Sequence, residues 1–222
     1  MVGIGLFTPS VGDPPDSASP VPSATPSLSD VPILPGADNL EGGTYRLWPR
    51  MHISVTLEVP DGWDSYERWA VNVPGAWPGS MGLAFWNPVN LYNDPLSSAR
   101  VPMDPPVGPT VEDFAQALAT HAGWDAKPPR PIIVDGHDGL LVRLTIPSEP
   151  DITDCKEFVL WYGVNDSRVH CVGVAGAVLD VYIVDVRGER VVFDAQYDPG
   201  APPDQVAALL RMAESIRFDP AP

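Results

Sequence analysis

Residues 178–197 read VLDVYIVDVRGERVVFDAQY, and this stretch decides the fold class. Val181, Tyr182, Ile183, Val184 and Val186 make a first arm that is apolar on both faces, as in a strand covered on both sides. Arg187-Gly188 breaks the run. A second arm then alternates, with Val191, Phe193, Ala195 and Tyr197 on one face and Asp194 and Gln196 on the other. Beyond Pro202-Pro203, Val206, Leu209, Leu210, Ala213 and Ile216 recur at helical spacing. A hairpin followed by such a helix predicts a sheet with a helix packed on it. The alternation places Asp180, Asp185 and Asp194 on exposed faces and strand ends. Their spacing also lacks the closing Glu of a calcium loop.

Working outward, His52–Val59 alternates cleanly and ends in the turn residues Pro60-Asp61-Gly62. Further strands are expected over Trp69–Val73, Met81–Trp86, Ile132–Val134, Leu140–Ile146, Phe158–Tyr162 and Val169–Val174. A helix is expected over Val111–Thr120, with Thr110 as N-cap, Asp113 completing a variant capping box, and Val111, Phe114, Ala115 and Leu118 as the buried stripe. Asn87–Pro109 reads as a long irregular stretch, and loops of that length in a compact domain often carry function. The pattern argues an α+β domain: an antiparallel sheet with about two helices packed on it.

Composition sets bounds. The chain has 222 residues and is 44% apolar, enough for one buried core despite 28 prolines. Its 29 acids against 13 bases give a formal charge of −16, and no basic cluster offsets it. Such a surface repels phosphate backbones, so nucleic acid is excluded as a partner. No apolar run approaches the roughly 20 residues that span a bilayer. Thr8–Pro35 contains eight prolines and six serines. Its composition predicts that residues 1–40 form a disordered Pro/Ser/Thr-rich leader ahead of a single globular domain at 41–222. Met1–Phe7 reads either as the stub of a longer signal or membrane anchor or as a frayed terminus.

Candidate chemistry is sparse. No nucleophile elbow, zinc motif, phosphate loop or dinucleotide fingerprint is present, so no metal and no cofactor is expected. His52, His121, His137 and His170 fall in four different elements. His137 sits in Asp135-Gly136-His137-Asp138-Gly139, which reads either as a His/Asp corner of an envelope hydrolase or as a β-turn built on Asp-Gly. Asn165-Asp166-Ser167 matches a glycosylation sequon, a tripeptide common by chance. Trp63, Trp77, Trp86 and Tyr92 lie at strand ends or in irregular segments. They either line a ligand cleft or cap the core beneath long loops. Cys155 and Cys171 form a disulfide if the chain is exported, with Cys155 folding back from the loop before its strand. The other reading is two buried or free thiols.

Several motifs together resemble a family of actinobacterial secreted or membrane-tethered domains: VTLEVPDGW (Val55–Trp63), LAFWNPVNLYNDP (Leu83–Pro95), PPVGPTVEDFAQAL (Pro105–Leu118), VDGHDGLLVRLTIP (Val134–Pro147), YIVDVRGERVVFDAQYDPG (Tyr182–Gly200) and AESIRF (Ala213–Phe218). The plan also resembles the PsbP-like α/β/α sandwich. The family resemblance implies an extracytoplasmic, noncatalytic module behind a signal or membrane helix, and it brings no catalytic residues. It also implies a cysteine after the Asn-Asp-Pro turn, where this chain has Leu96; Cys171 would then be the replacement partner of Cys155. The expected function is binding of a small ligand or an envelope protein, centred on the loops around Trp77–Pro109. A hydrolase at His137 and a purely structural cell-wall spacer are the alternatives.

Overall fold

The computed structural model describes residues 30–47, 53–74, 81–149, 151–152, 154, 156–163 and 169–219. Its centre is the expected hairpin, β12 (Val178–Val186) and β13 (Glu189–Tyr197), paired antiparallel through Val184↔Val191 and Asp180↔Ala195. Arg187 (φ 57°) and Gly188 (φ 82°) make a left-handed two-residue turn, whose twist suits the flanking strands. Asp185 Oδ1 accepts the Gly188 N–H at 2.6 Å. The same chemistry makes the second hairpin. Asp135 (φ 49°) and Gly136 (φ 79°) join β8 (Arg130–Val134) to β9 (His137–Thr145).

β9 pairs with β12, and β13 pairs with β5 (Gly82–Trp86). With β3 (Asp64–Tyr66), β4 (Ala70–Asn72) and β7 (Asp125–Ala126) the sheet runs β3-β4-β5-β13-β12-β9-β7, and β8 also lies on β9. Two smaller sheets flank it. One is β1 (Gly43–Leu47), β2 (Val55–Val59) and β14 (Arg217–Phe218); the other is β6 (Pro88–Leu91), β10 (Val159–Gly163) and β11 (Val169–Cys171). Every strand ladder among the described residues is antiparallel. The fold class is α+β.

The middle strands of the central sheet are buried on both faces. On one, Phe85, Phe193, Val184 and Val191 pack against Leu209, Met212 and Ile216 and against the β1-β2-β14 layer. On the other, Trp86, Val181, Ile183 and Val192 pack against Phe114 and Leu118 and against the β6-β10-β11 layer. Each such large side chain contributes about 1.5–3 kcal/mol when fully buried. The helices thus take opposite faces: α1 (Val111–Thr120) one, α2 (Pro203–Glu214) the other. The Thr110 hydroxyl accepts the Asp113 N–H at 3.0 Å, and the Asp113 carboxylate accepts the Thr110 N–H at 3.1 Å, completing the expected capping box. α2 has no side-chain cap and starts on Pro203, whose missing N–H needs no partner there.

Three expectations need correction. Residues up to 40 are not all leader: Leu34 and Leu40 are core residues, and the segment is bonded to β1 and β3 through Leu34 N to Arg46 O and Ser65 N to Asp38 O, both at 2.8 Å. Two leucines among the prolines supply enough apolar area to dock it, and it covers sheet edges that would otherwise be open. Asn87–Pro109 is not irregular throughout, since Pro88–Leu91 is a strand on β10. Pro88 is tolerated at the strand's start, where no ladder donor is needed. Asp180 and Asp194 are not solvent-facing: each is 2% exposed. Periodicity assigns a residue to a face but not what covers it, and here Arg143 lies over Asp180 while Trp86 and His170 close over Asp194. Asp185 is exposed as expected.

Candidate functional site

The most chemically loaded place in the molecule lies between the central sheet and the β6-β10-β11 layer. Alternation along β13 points Asp194 to this side, where it meets two donors. Trp86 Nε1 donates to Asp194 Oδ1, and His170 Nε2 lies 3.0 Å from Asp194 Oδ2. A carboxylate only accepts, so the His170 proton on that side is on Nε2. The imidazole lies between two indoles, 4.4 Å from Trp86 and 4.2 Å from Trp161, centroid to centroid. Trp69 and Phe114 extend the aromatic cluster, at 4.8 Å from Trp86 and 5.8 Å from Trp161.

The group resembles a base with its orienting acid, but its environment assigns it a different job. His170, Asp194, Trp86 and Trp161 are all buried, and a general base must reach the proton of a bound substrate. What the cluster does is tie β11 to β13 and β5, fixing the outer layer on the central sheet. Trp161 Nε1 and His170 Nδ1 have no partner among the described residues, which marks a polar interior bounded by aromatic rings.

His121 and Asp135 are also held in the fold. His121 Nε2 donates to Tyr92 O at 2.8 Å, its Nδ1 accepts from Gly123 N at 2.9 Å, and the ring stacks on Trp124. Burial pushes its pKa down, so it is a neutral clip between the end of α1 and the loop after β6. In the Asp135–Gly139 turn, Asp135 accepts the Phe218 N–H at 2.8 Å and lies 3.6 Å from the Arg217 guanidinium. His137 packs edge-on against Phe218. Asp138 faces elsewhere, into a cavity of about 450 Å³ beside Glu112, Asp185 and Arg190. Arg190 is already committed there: it donates to the carbonyls of Gly108, Thr110 and Pro88 and lies over the Phe114 ring. The turn therefore does not assemble a His137–carboxylate pair. No three His, Cys, Asp or Glu side chains gather as a metal site among the described residues.

Of the four aromatics expected at a cleft, Trp63 lies in the core of the α2 face and Trp86 in the core of the α1 face, so these two do not meet. Trp77 lies outside the described residues. Tyr92 is buried at the root of the loop after β6, against Tyr162, with the Arg100 guanidinium 6.0 Å above its ring. Residues 91–107 of that loop are organised by Asn90, which accepts from Leu91 N and Val107 N and donates to Met103 O. The tip is pinned by Pro95 O, which accepts from Val159 N at 3.0 Å, and by Arg100 Nη2, which donates to Lys156 O at 3.0 Å. From this tethered tip Leu96 and Val101 remain 44% and 56% exposed. Cys171 lies opposite Val159; Cys155 is outside the described residues, as are His52 and the sequon at Asn165–Ser167.

His170 and Asp194 carried no signal in the sequence. One reads as an isolated histidine and the other as a polar residue on an alternating strand, and only the packing of the β6-β10-β11 layer on the central sheet joins them.

No family model matches the chain, and no curated protein is similar to it. One solved structure it is similar to is the solution structure of cyanobacterial PsbP (CyanoP) from Synechocystis sp. PCC 6803, at 14% identity and a TM-score of 0.35, over 80% of this chain and 94% of that one. At that score nothing about kinship, activity or partner is taken from it, and the fold class rests on the strand pairing itself. Among the described residues no helix is long and apolar enough to cross a membrane.

Proposed function

We propose that this chain is a noncatalytic, extracytoplasmic binding module of the bacterial cell envelope, of the actinobacterial kind its motifs resemble. It docks a protein partner on the loop between Asn93 and Met103. The observation that carries this reading is the exposure of Leu96 and Val101 on a loop tethered by Pro95, Arg100 and Asn90. Apolar side chains displayed on an already ordered loop lose little entropy on contact, which favours association. Tyr92, one of the four aromatics read from the sequence, supports the loop from beneath; Trp63 and Trp86 serve the fold in this reading.

The extracytoplasmic assignment draws on the Pro/Ser-rich leader, the charge of −16 and a disulfide between Cys155 and Cys171. Cys171 pairs with Val159, which is only four residues after Cys155 in the sequence, a spacing that supports the bond. His121, His170, Asp135 and Asp194 are held in structural bonds, which supports a noncatalytic role.

The test is site-specific photo-crosslinking in cells. A photoreactive residue at Leu96 or Val101 should give one discrete envelope-protein adduct, while the same residue at exposed Glu112 gives none. Absence of an adduct at both loop positions, or equal labelling at Glu112, counts against the reading. Intact mass without reductant should show the deficit of two hydrogens that marks the Cys155–Cys171 bond, and two free thiols would remove that support for export.

A further inference from the structure

α2 packs over β13, β5 and β2, and this leaves a strip of the same sheet face, built by β9 with β7 and β8, in solvent. Its side chains follow from the register. Arg143 is opposite Asp180; Arg130 is opposite Leu141, which is opposite Tyr182; Thr145 is opposite Val178, which is opposite Tyr197. Cross-strand partners share a face, so Arg130, Arg143, Tyr182 and Tyr197 all stand on this strip. Lys127 joins them beside Arg143, whose carbonyl accepts its N–H at 2.9 Å. Lys127, Arg130, Arg143 and Thr145 are exposed. The acids at the margins are Asp125, opposite Thr145, and Glu214 on α2, close enough to act on the Tyr182 hydroxyl.

The strip is rich in uncommitted donors. Asp180 holds Arg143 side-on through Nε and Nη2, both at 2.6 Å, which fixes the guanidinium plane and leaves Nη1 turned away from that carboxylate. Arg130 and the hydroxyls of Tyr182 and Tyr197 make no hydrogen bond among the described residues. Burial, then the Asp180 charge, push the Tyr182 hydroxyl up to about 12 and the Tyr197 hydroxyl upward, so both keep their protons at neutral pH. Arg130 and Arg143 are offset by two residues along the strand direction, about 7 Å, which is the repeat of alternate side chains on any extended chain.

We propose that this strip docks an extended peptide segment carrying acidic residues at alternate positions, one carboxylate on Arg130 and the next on the free end of Arg143, with Tyr182 and Tyr197 donating to them. Carboxylates suit the strip better than phosphates, because the buried Asp180 charge in its floor penalises a dianion more than a monoanion. A flat, open strip suits an extended chain rather than an enclosed small molecule. The acidity of the whole protein does not forbid this, since charges more than about 8 Å away are screened at physiological ionic strength. The strip lies on the sheet face opposite the β6 layer, so it is separate from the loop surface proposed above.

The experiment is fluorescence anisotropy of the full chain with a labelled peptide alternating Glu and Thr, against one alternating Gln and Thr. The acidic peptide should bind at least about tenfold more tightly, and Arg130→Glu should remove that margin. Arg130→Lys should keep part of it, and Tyr197→Phe should weaken binding about threefold, the size of one neutral hydrogen bond. Leu96→Asp with Val101→Asp should leave the affinity unchanged, so failure of the loop reading and failure of this one are separable. Arg130 is exposed on an edge strand, and circular dichroism of each variant confirms that the fold is kept. Equal affinity for the Gln and Glu peptides overturns the proposal, as does full acidic-peptide binding by folded Arg130→Glu. Displacement of the peptide by inorganic phosphate at concentrations where free glutamate does nothing also overturns it.

Discussion

Asp180 and Asp194 lie on neighbouring strands of one hairpin and are equally buried, at 2% exposure, yet they live in opposite worlds. Asp180 points to the α2 face at its open margin, where its partner Arg143 is 45% exposed. Asp194 points to the α1 face, where Trp86 and His170 close over it. The same residue type on the same hairpin is therefore half of a solvent-touching ion pair in one case and the centre of a sealed polar cluster in the other. The difference lies in what each face of the sheet receives from distant chain: α2 stops short of β9, whereas β10 and β11 bring Trp161 and His170 onto β13. A buried charge whose partner still reaches water can be rehydrated locally; one whose partners are all buried cannot.

That contrast can be broken most sharply by deleting each carboxylate. Asp194→Ala leaves the buried Trp86 N–H and His170 ring without their acceptor, and urea unfolding should show a loss of about 3–5 kcal/mol. A loss below that of Asp180→Ala would sink the distinction drawn here. The next effect appears only at high pH. The Tyr182 hydroxyl titrates in the folded state at about 12, above its ordinary value of 10.0. The unfolded chain therefore releases this proton first. Stability from the group is complete below pH 10, falls as pH rises between about 10 and 12, and amounts to about 2–3 kcal/mol. Tyr182→Phe should flatten that limb of the stability curve, leaving the smaller slope from Tyr197.

Asp180→Ala should cost about 1–2 kcal/mol, less than its burial alone suggests, because the freed Arg143 is solvated and its pair is partly screened. In the double variant with Arg143→Ala the two losses should fall short of their sum, since they share one interaction. The smallest effect separates the helices on the two faces. Thr110→Ala removes the capping box of α1 and should lower stability by about 1 kcal/mol in thermal or urea unfolding. α2, which begins on prolines without a side-chain cap, has no equivalent residue to lose.

Much of this architecture is written locally. The two hairpins depend on Asp135-Gly136 and Arg187-Gly188, pairs with the left-handed backbone that two-residue turns demand. The α1 boundary depends on Thr110 and Asp113, and the α2 start on Pro203; all are neighbours in sequence, so their chemistry can be read without knowing the fold. The buried stripes of both helices follow from spacing for the same reason. Other features depend on residues far apart in the chain. β1, β6 and the docking of Leu34 and Leu40 are invisible locally, because short or proline-bearing segments become strands only when a partner edge offers its hydrogen bonds.

The aspartates mark the limit most clearly. Alternation along β13 put Asp194 on the face opposite Phe193 and Ala195, and only tertiary structure decided that Asp194 and Asp180 are both buried. A strand's period is a property of its own backbone, whereas burial belongs to whatever packs upon it, and here that is chain from 24 residues away at His170 to 108 residues away at Trp86.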